Sequence, residues 1–161
     1  MNVTPQFKVD LIAGLDDRRA QAYQLVMQVS PDLRVHENST WTVKDLITHL
    51  TAFEADMVDA IQTFMDGETY QLDFHGQTDI DGFNDYRRQQ VAHKTWDDAL
   101  QDWQYIRDQL RGVIMAFPED KLDVPFRTPF LQKYTLMQAV KGCGAHEKLH
   151  MSEIRNAHQA E

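Results

Sequence analysis

Apolar residues recur along this chain at helical spacing, in long runs separated by polar or proline-containing segments. The first run covers residues 7 to 29. Leu11, Ile12, Leu15, Ala22, Tyr23, Val26 and Val29 share a face, with Asp16-Asp17-Arg18-Arg19 between them, and Pro31 closes the pattern. Residues 30 to 41 are polar and irregular up to Trp41. The second run starts at Thr42, an N-cap residue with Asp45 three positions on, as in a capping box with a shorter acid. Val43, Leu46, Ile47, Leu50, Phe53, Met57, Val58, Ile61 and Phe64 form its stripe, and Gly67 is a natural stop. His49 falls on the flank of the stripe, beside Thr42, Phe53 and Asp56. Glu54 falls inside it, an unusual place for a carboxylate.

Residues 68 to 82 read as a polar connection. Residues 83 to 93 start helically at Phe83-Asn84-Asp85-Tyr86, and Thr95 with Asp98 offers another N-cap. A long amphipathic run from Trp96 through Trp103, Ile106, Leu110 and Ile114 to Phe117 follows; the pattern leaves open whether 83 to 117 is one bent helix or two. Pro118, Pro125 and Pro129 exclude a helix from 118 to 135. Phe126, Phe130, Leu131 and Tyr134 are apolar enough to pack that segment across one end of the domain. A last helix is expected from Thr135 to Ala157, its stripe being Leu136, Ala139, Val140, Cys143, His146, Glu147, His150 and Ile154. No repeat, low-complexity tract or strand pattern is found. Four main amphipathic helices predict an all-α four-helix bundle, one domain over 1–161.

Composition narrows the partners. A formal net charge of −9 argues against broad binding to nucleic acid or anionic membranes, both of which rely on Lys and Arg to displace counterions. The single Cys143 can form no internal disulfide, which suits a reducing compartment. The opening MNVTPQFKVD lacks a basic segment followed by an apolar run, so no signal peptide is expected. No stretch approaches the roughly 20 apolar residues of a membrane span. The expectation is a cytoplasmic protein acting on a small molecule, with neither nucleic acid nor membrane as partner.

The chemistry concentrates in Gly142-Cys143-Gly144-Ala145-His146-Glu147-Lys148-Leu149-His150. His146 and His150, four apart, face one side of a helix one turn apart, a spacing that suits one metal ion. A bare HxxxH is more often a pair of hydrogen-bonded or exposed histidines. Here both lie on an apolar face, where an unpaired imidazole is costly to bury, and His49 lies near the start of another inward-facing helix. Three histidines from two bundle helices could hold a metal with positions left open. The string also reads as HExxH, but a zinc protease needs a third ligand downstream. The extended pattern would need Gly at 153 and His at 156, where the chain has Glu153 and Asn156, and His158 is at the wrong spacing. A peptidase is therefore disfavoured.

Trp41-Thr42-Val43-Lys44-Asp45-Leu46-Ile47-Thr48-His49-Leu50, followed by Phe53-Glu54, resembles the second-helix signature of the DinB-like (DinB/YfiT) superfamily. The late His146-x-x-x-His150 matches that family's last helix, and Phe83-Asn84 is a weaker match. The resemblance spans nearly the whole chain. It implies an up-down-down-up bundle and a divalent metal, Zn or Ni among others, held by His49, His146 and His150. It further implies one of several reactions: thiol S-transfer, isomerisation with a low-molecular-weight thiol, or hydrolysis of a reactive electrophile. Dimers are common in the family, so a homodimer is compatible with the sequence, though no stretch identifies an interface.

A metal at such a site can lower the pKa of a water or thiol toward 7 for attack on an electrophile. Glu147 is then a candidate proton shuttle or outer partner of a ligand, against the blander reading of a surface or ion-paired residue, which is placed first. Glu54 is either a carboxylate orienting a histidine or half of an ion pair. Cys143 reads as a small core residue before a nucleophile or fourth ligand. Trp41, Trp96 and Trp103 read as core anchors, and His36, His75, His93 and His158 as solvated. Two function classes remain: a metal-dependent hydrolase or thiol-dependent transferase, or a non-catalytic metal- or ligand-binding bundle.

Overall fold

The structure, a computed structural model, describes residues 5–161. The expectation about an N-terminal leader concerns in part residues 1–4, which lie outside the described residues. Among these residues five α-helices form: α1 (Gln6–Val26), α2 (Val43–Met65), α3 (Ile80–Gln90), α4 (Trp96–Ala116) and α5 (Leu136–Gln159). Their starts follow the caps. At α2 the Thr42 side chain accepts the Asp45 N–H and the Asp45 carboxylate accepts the Thr42 N–H at 2.9 Å, a complete capping box. Thr135 and Gln138 form the same arrangement at α5, and Thr95 caps α4 through the Asp98 N–H.

The long helices α1, α2, α4 and α5 make a four-helix bundle, and its core shows the order of the chain. One apolar cluster joins Leu15 of early α1, Met57 and Ile61 of late α2, Leu110 and Ile114 of late α4, and Leu136 and Val140 of early α5. The other joins Ala22 and Val26 of late α1, Val43 to Leu50 of early α2, Trp103 of earlier α4, and Met151 and Ile154 of late α5. Helices α1 and α5 therefore run one way and α2 and α4 the other: up-down-down-up. Packing is most extensive between α2 and α4 and between α1 and α5. Among the described residues no helix is long and apolar enough to cross a membrane.

Four features differ from the sequence reading. Helix α1 stops at Val26 rather than Val29, because residues 27 to 30 turn back toward the irregular segment ahead of Pro31. Its buried line is Leu15, Arg19, Ala22 and Val26, so Arg19 faces the core while Tyr23 is exposed. The open question over 83 to 117 resolves into two helices. Asp79, accepting the Gly82 N–H, starts α3 before Phe83, and residues 91–95 separate it from α4. The 118 to 135 segment does contain strands, contrary to expectation. Strands β1 (Phe126–Arg127) and β2 (Lys133–Tyr134) pair antiparallel, two residues each, too short to show alternation in sequence. Phe126 is buried against Phe64 and Phe117, which seats the hairpin on one end of the bundle.

Candidate metal centre

His49 stands two turns into α2, where the Thr42 cap fixes the helix start. His146 and His150 stand one turn apart on α5. The three rings converge through Nε2: His146 Nε2 lies 3.2 Å from His49 Nε2 and 3.0 Å from His150 Nε2. All three are half-buried and their ligand nitrogens lie within 4.8 Å of one another.

A second contact fixes how one ring presents itself. His150 Nδ1 lies 2.7 Å from Glu153 Oε2. An ionised carboxylate only accepts, so Nδ1 carries the proton and Nε2 of the neutral ring is left as a bare lone pair aimed at the other two histidines. Three imidazole nitrogens this close cannot all satisfy one another by hydrogen bonding. Nitrogens bound at 2.0–2.1 Å to one cation with angles of about 90–110° lie about 2.9–3.4 Å apart, the range in which His146 Nε2 stands from both His49 Nε2 and His150 Nε2. The donor set thus fits a divalent cation.

Burial pushes His49 down to about 3, with His146, His150 and Arg87 adding to the effect. Burial and the neighbouring His150 push His146 down to about 4. Both are therefore neutral at pH 7, the protonation state a metal ligand needs.

A cavity of about 360 Å³ opens onto all three histidines. Phe53 packs on His146 with centroids 4.4 Å apart and on Phe130 at 4.8 Å. Phe130 can lie there because position 142 has no side chain: a Cβ on Gly142 would fall 2.6 Å from its ring. Leu131, with a left-handed φ of 62°, turns the hairpin over the mouth. The polar groups are Asn84 and Arg87, both from α3, and Asp56. Arg87 is held by both oxygens of Asp56 and by the Ala52 carbonyl. The Asn84 side chain has no hydrogen-bond partner among the described residues. A second cavity of about 310 Å³ reaches His49 from beyond α3, past Trp41, Tyr86 and Arg88, and shares Asn84 and Arg87 with the first.

The three histidines are thus brought together, but the two glutamates are not with them. Glu147 is 1% exposed, so it is not a surface residue. It accepts the Arg19 Nε–H at 2.7 Å and lies 3.5 Å from Arg107 Nη2. One residue along a helix is a turn of about 100°, which carries it from the metal face to the side facing α1 and α4. It lines neither cavity at the histidines. Glu54 likewise pairs with Arg107 and with Arg19, at 3.2 Å for the latter, rather than with a histidine. Cys143 is 2% exposed in the core, and burial together with the Glu54 charge pushes its thiol well up, away from a thiolate.

Trp103 is fully buried, whereas Trp41 is only partly buried and meets His49 edge-on at 5.7 Å. His36 is mostly exposed but reaches within 3.5 Å of Glu153 Oε1. Glu153, Arg87 and the contribution of α3 were not foreseen. The i,i+3 spacing of His150 and Glu153 could have shown the first; no sequence signal shows that α3 folds over His49. From α5 the cavity draws on His146 and His150, in the middle of the helix.

The sequence model of the DinB superfamily matches residues 14–154. No curated protein matches the sequence. Three solved structures share the fold. YfiT from Bacillus subtilis, described as a probable metal-dependent hydrolase with an unusual four-helix bundle topology, is 15% identical, with 99% of this chain and 90% of YfiT covered and a TM-score of 0.76. The colibactin self-resistance protein ClbS, solved in complex with a double-stranded DNA, is 14% identical, with 94% and 95% covered and a TM-score of 0.75. An uncharacterised protein from Escherichia coli UTI89 is 13% identical, with 95% and 93% covered and a TM-score of 0.74. At these identities the likeness concerns the fold.

Proposed function

The chain belongs to the DinB superfamily, and we propose that it is a metal-dependent hydrolase of a small, largely apolar electrophile, with a divalent cation held by His49, His146 and His150. The observation that carries this reading is the convergence of three Nε2 atoms, with Glu153 accepting from His150 Nδ1 on the far side of that ring. Zn or Ni suits three imidazoles. A cation there would supply Lewis acidity, polarising a substrate oxygen and lowering the pKa of water.

The protein's own groups do the rest. Glu153 keeps the His150 proton on Nδ1. Phe53, Phe130 and Leu131 present an apolar wall that selects an apolar body and excludes bulk water. Arg87, pinned by Asp56, and the unpaired Asn84 amide are placed to orient a carbonyl or similar acceptor. Glu147 and Glu54 are assigned to the scaffold. The description of YfiT as a probable metal-dependent hydrolase supports this reaction class.

One observation favours a second reading. The cavity behind α3 gives a second molecule its own route to His49, which suits transfer to a low-molecular-weight thiol instead of water. As to nucleic acid, the net charge of −9 speaks against a polyanion partner, although ClbS is seen with DNA.

The test is turnover of a panel of activated esters, lactones and epoxides by protein loaded with Zn or Ni, with and without added thiol. Metal-dependent hydrolysis unaffected by thiol is expected. Turnover only with thiol would support transfer. No metal-dependent turnover over the panel would leave a metal-binding bundle without catalysis.

A further inference from the structure

Besides Lys8, whose ammonium donates to the Met115 and Phe117 carbonyls at the end of α4, four buried charged side chains meet inside the bundle, one from each long helix: Arg19 of α1, Glu54 of α2, Arg107 of α4 and Glu147 of α5, none more than 4% exposed. They form one layer between the two apolar clusters. Arg107 binds both oxygens of Glu54 and the Leu15 carbonyl, the last at 2.7 Å. Arg19 binds Glu147 at 2.7 Å, the Trp103 carbonyl at 2.6 Å and Glu54 at 3.2 Å, and lies over the Trp103 ring at 4.1 Å. Two positive and two negative charges balance. Buried pairs of this kind contribute little net stability compared with apolar residues of the same volume, so the layer calls for another reason.

The bundle supplies one. Its strongest packing joins α2 to α4 and α1 to α5, and the direct contact of α2 with α5 is smaller. The metal centre is divided along the same line, with His49 on the first pair and His146 and His150 on the second. Apolar faces tolerate sliding. The charged layer does not, because moving one helix by a residue shifts it about 1.5 Å and turns it about 100°, beyond hydrogen-bond reach. Within the layer, Arg107–Glu54 lies inside the α2/α4 pair and Arg19–Glu147 inside the α1/α5 pair, and the remaining ion pairs and carbonyl contacts cross between the two: Arg19 to Glu54, Arg19 to the Trp103 carbonyl, Arg107 to the Leu15 carbonyl, and Arg107 to Glu147. Glu147 is next to His146 in the chain, and Glu54 lies five residues beyond His49.

We propose that Arg19, Glu54, Arg107 and Glu147 are positioning residues for the metal centre, locking the α2/α4 pair against the α1/α5 pair in the register that brings His49 to His146 and His150. This rests on the metal reading for its consequence, but its geometry can be tested without metal.

The experiment replaces the whole layer by apolar residues of similar size: Arg19→Met, Glu54→Leu, Arg107→Met and Glu147→Leu together. Cobalt(II) is the probe, and ring-to-ring NOEs between His49 and His146, whose centroids are 5.0 Å apart, are read in metal-free protein. The expected result is a helical, cooperatively folding variant that binds cobalt at least about tenfold more weakly, with an altered d–d spectrum and without the NOE. Unchanged affinity, spectrum and NOE would overturn the proposal. A milder variant, Arg19→Lys, keeps the charge but cannot span three acceptors. Should the quadruple variant fail to fold, Arg19→Lys decides by the same readouts, weaker cobalt binding and a weakened NOE supporting the lock and wild-type values overturning it. A wild-type protein that binds no cobalt would refute the metal reading alone, and the NOE comparison would still decide the register.

Discussion

His49 and His146 are held neutral by burial first and then by neighbouring imidazoles, His146 and His150 acting on His49 and His150 acting on His146. Unfolded, each would titrate near 6.5. Between that value and the folded values of about 3 and about 4 the unfolded chain binds more protons than the folded one. Stability of the metal-free protein is therefore complete above about pH 6.5 and falls as pH drops toward 4, by an amount on the order of a few kcal/mol. Denaturant unfolding of metal-free protein from pH 7 to 4 checks this, and ring-proton NMR should find both imidazoles still neutral at pH 5. A midpoint near 6.5 for either would contradict the burial seen here. Glu153 acts on the third ring. Glu153→Gln should weaken metal binding by about 10–100-fold with little effect on folding, as read by competition with a chromophoric chelator. The histidines were legible in the sequence because their spacing carries the information. Glu147 was not, because whether the residue after a ligand faces solvent or core depends on which helices pack there.

At the scale of elements, two local devices set the site. The Thr42 capping box fixes the first turn of α2, and hence where His49 stands. Thr42→Ala should lower stability by about 1 kcal/mol, measured by urea unfolding. Gly142 makes room for the Phe130 ring. Ala there would improve helix propensity by about 1 kcal/mol but must displace the ring, whose far edge is the obstacle. Net stability should change by less than about 1 kcal/mol, while the NOE between Phe130 and Phe53 is lost and the cavity wall moves. Stability lowered by several kcal/mol with the NOE retained would mean the backbone had moved instead. The long helices were readable from stripes and caps. Helix α3 was half-read, because its packing face carries one buried residue, Phe83, too little to show a period. The hairpin was unreadable, at two residues a strand.

For the whole molecule, amphipathic stripes gave the bundle, and the family resemblance gave the order of its helices. Neither showed what lies between the two apolar clusters. Arg19 looked like part of a charged surface run, and Arg107 drew no notice inside a long apolar face. Buried charges are invisible to a pattern that equates charge with solvent. The layer they form is continuous with the site: two of the four helices that bury its arginines and glutamates, α2 and α5, deliver three histidine nitrogens to one point. That convergence is the central claim, and a calorimetric titration of metal-free protein with Zn addresses it most directly, with His49→Ala as the companion. One equivalent bound per chain by the wild type, and affinity at least about 100-fold lower for the variant, is the predicted outcome. No binding by the wild type, or equal binding by a variant that has lost the ligand from α2, would contradict it.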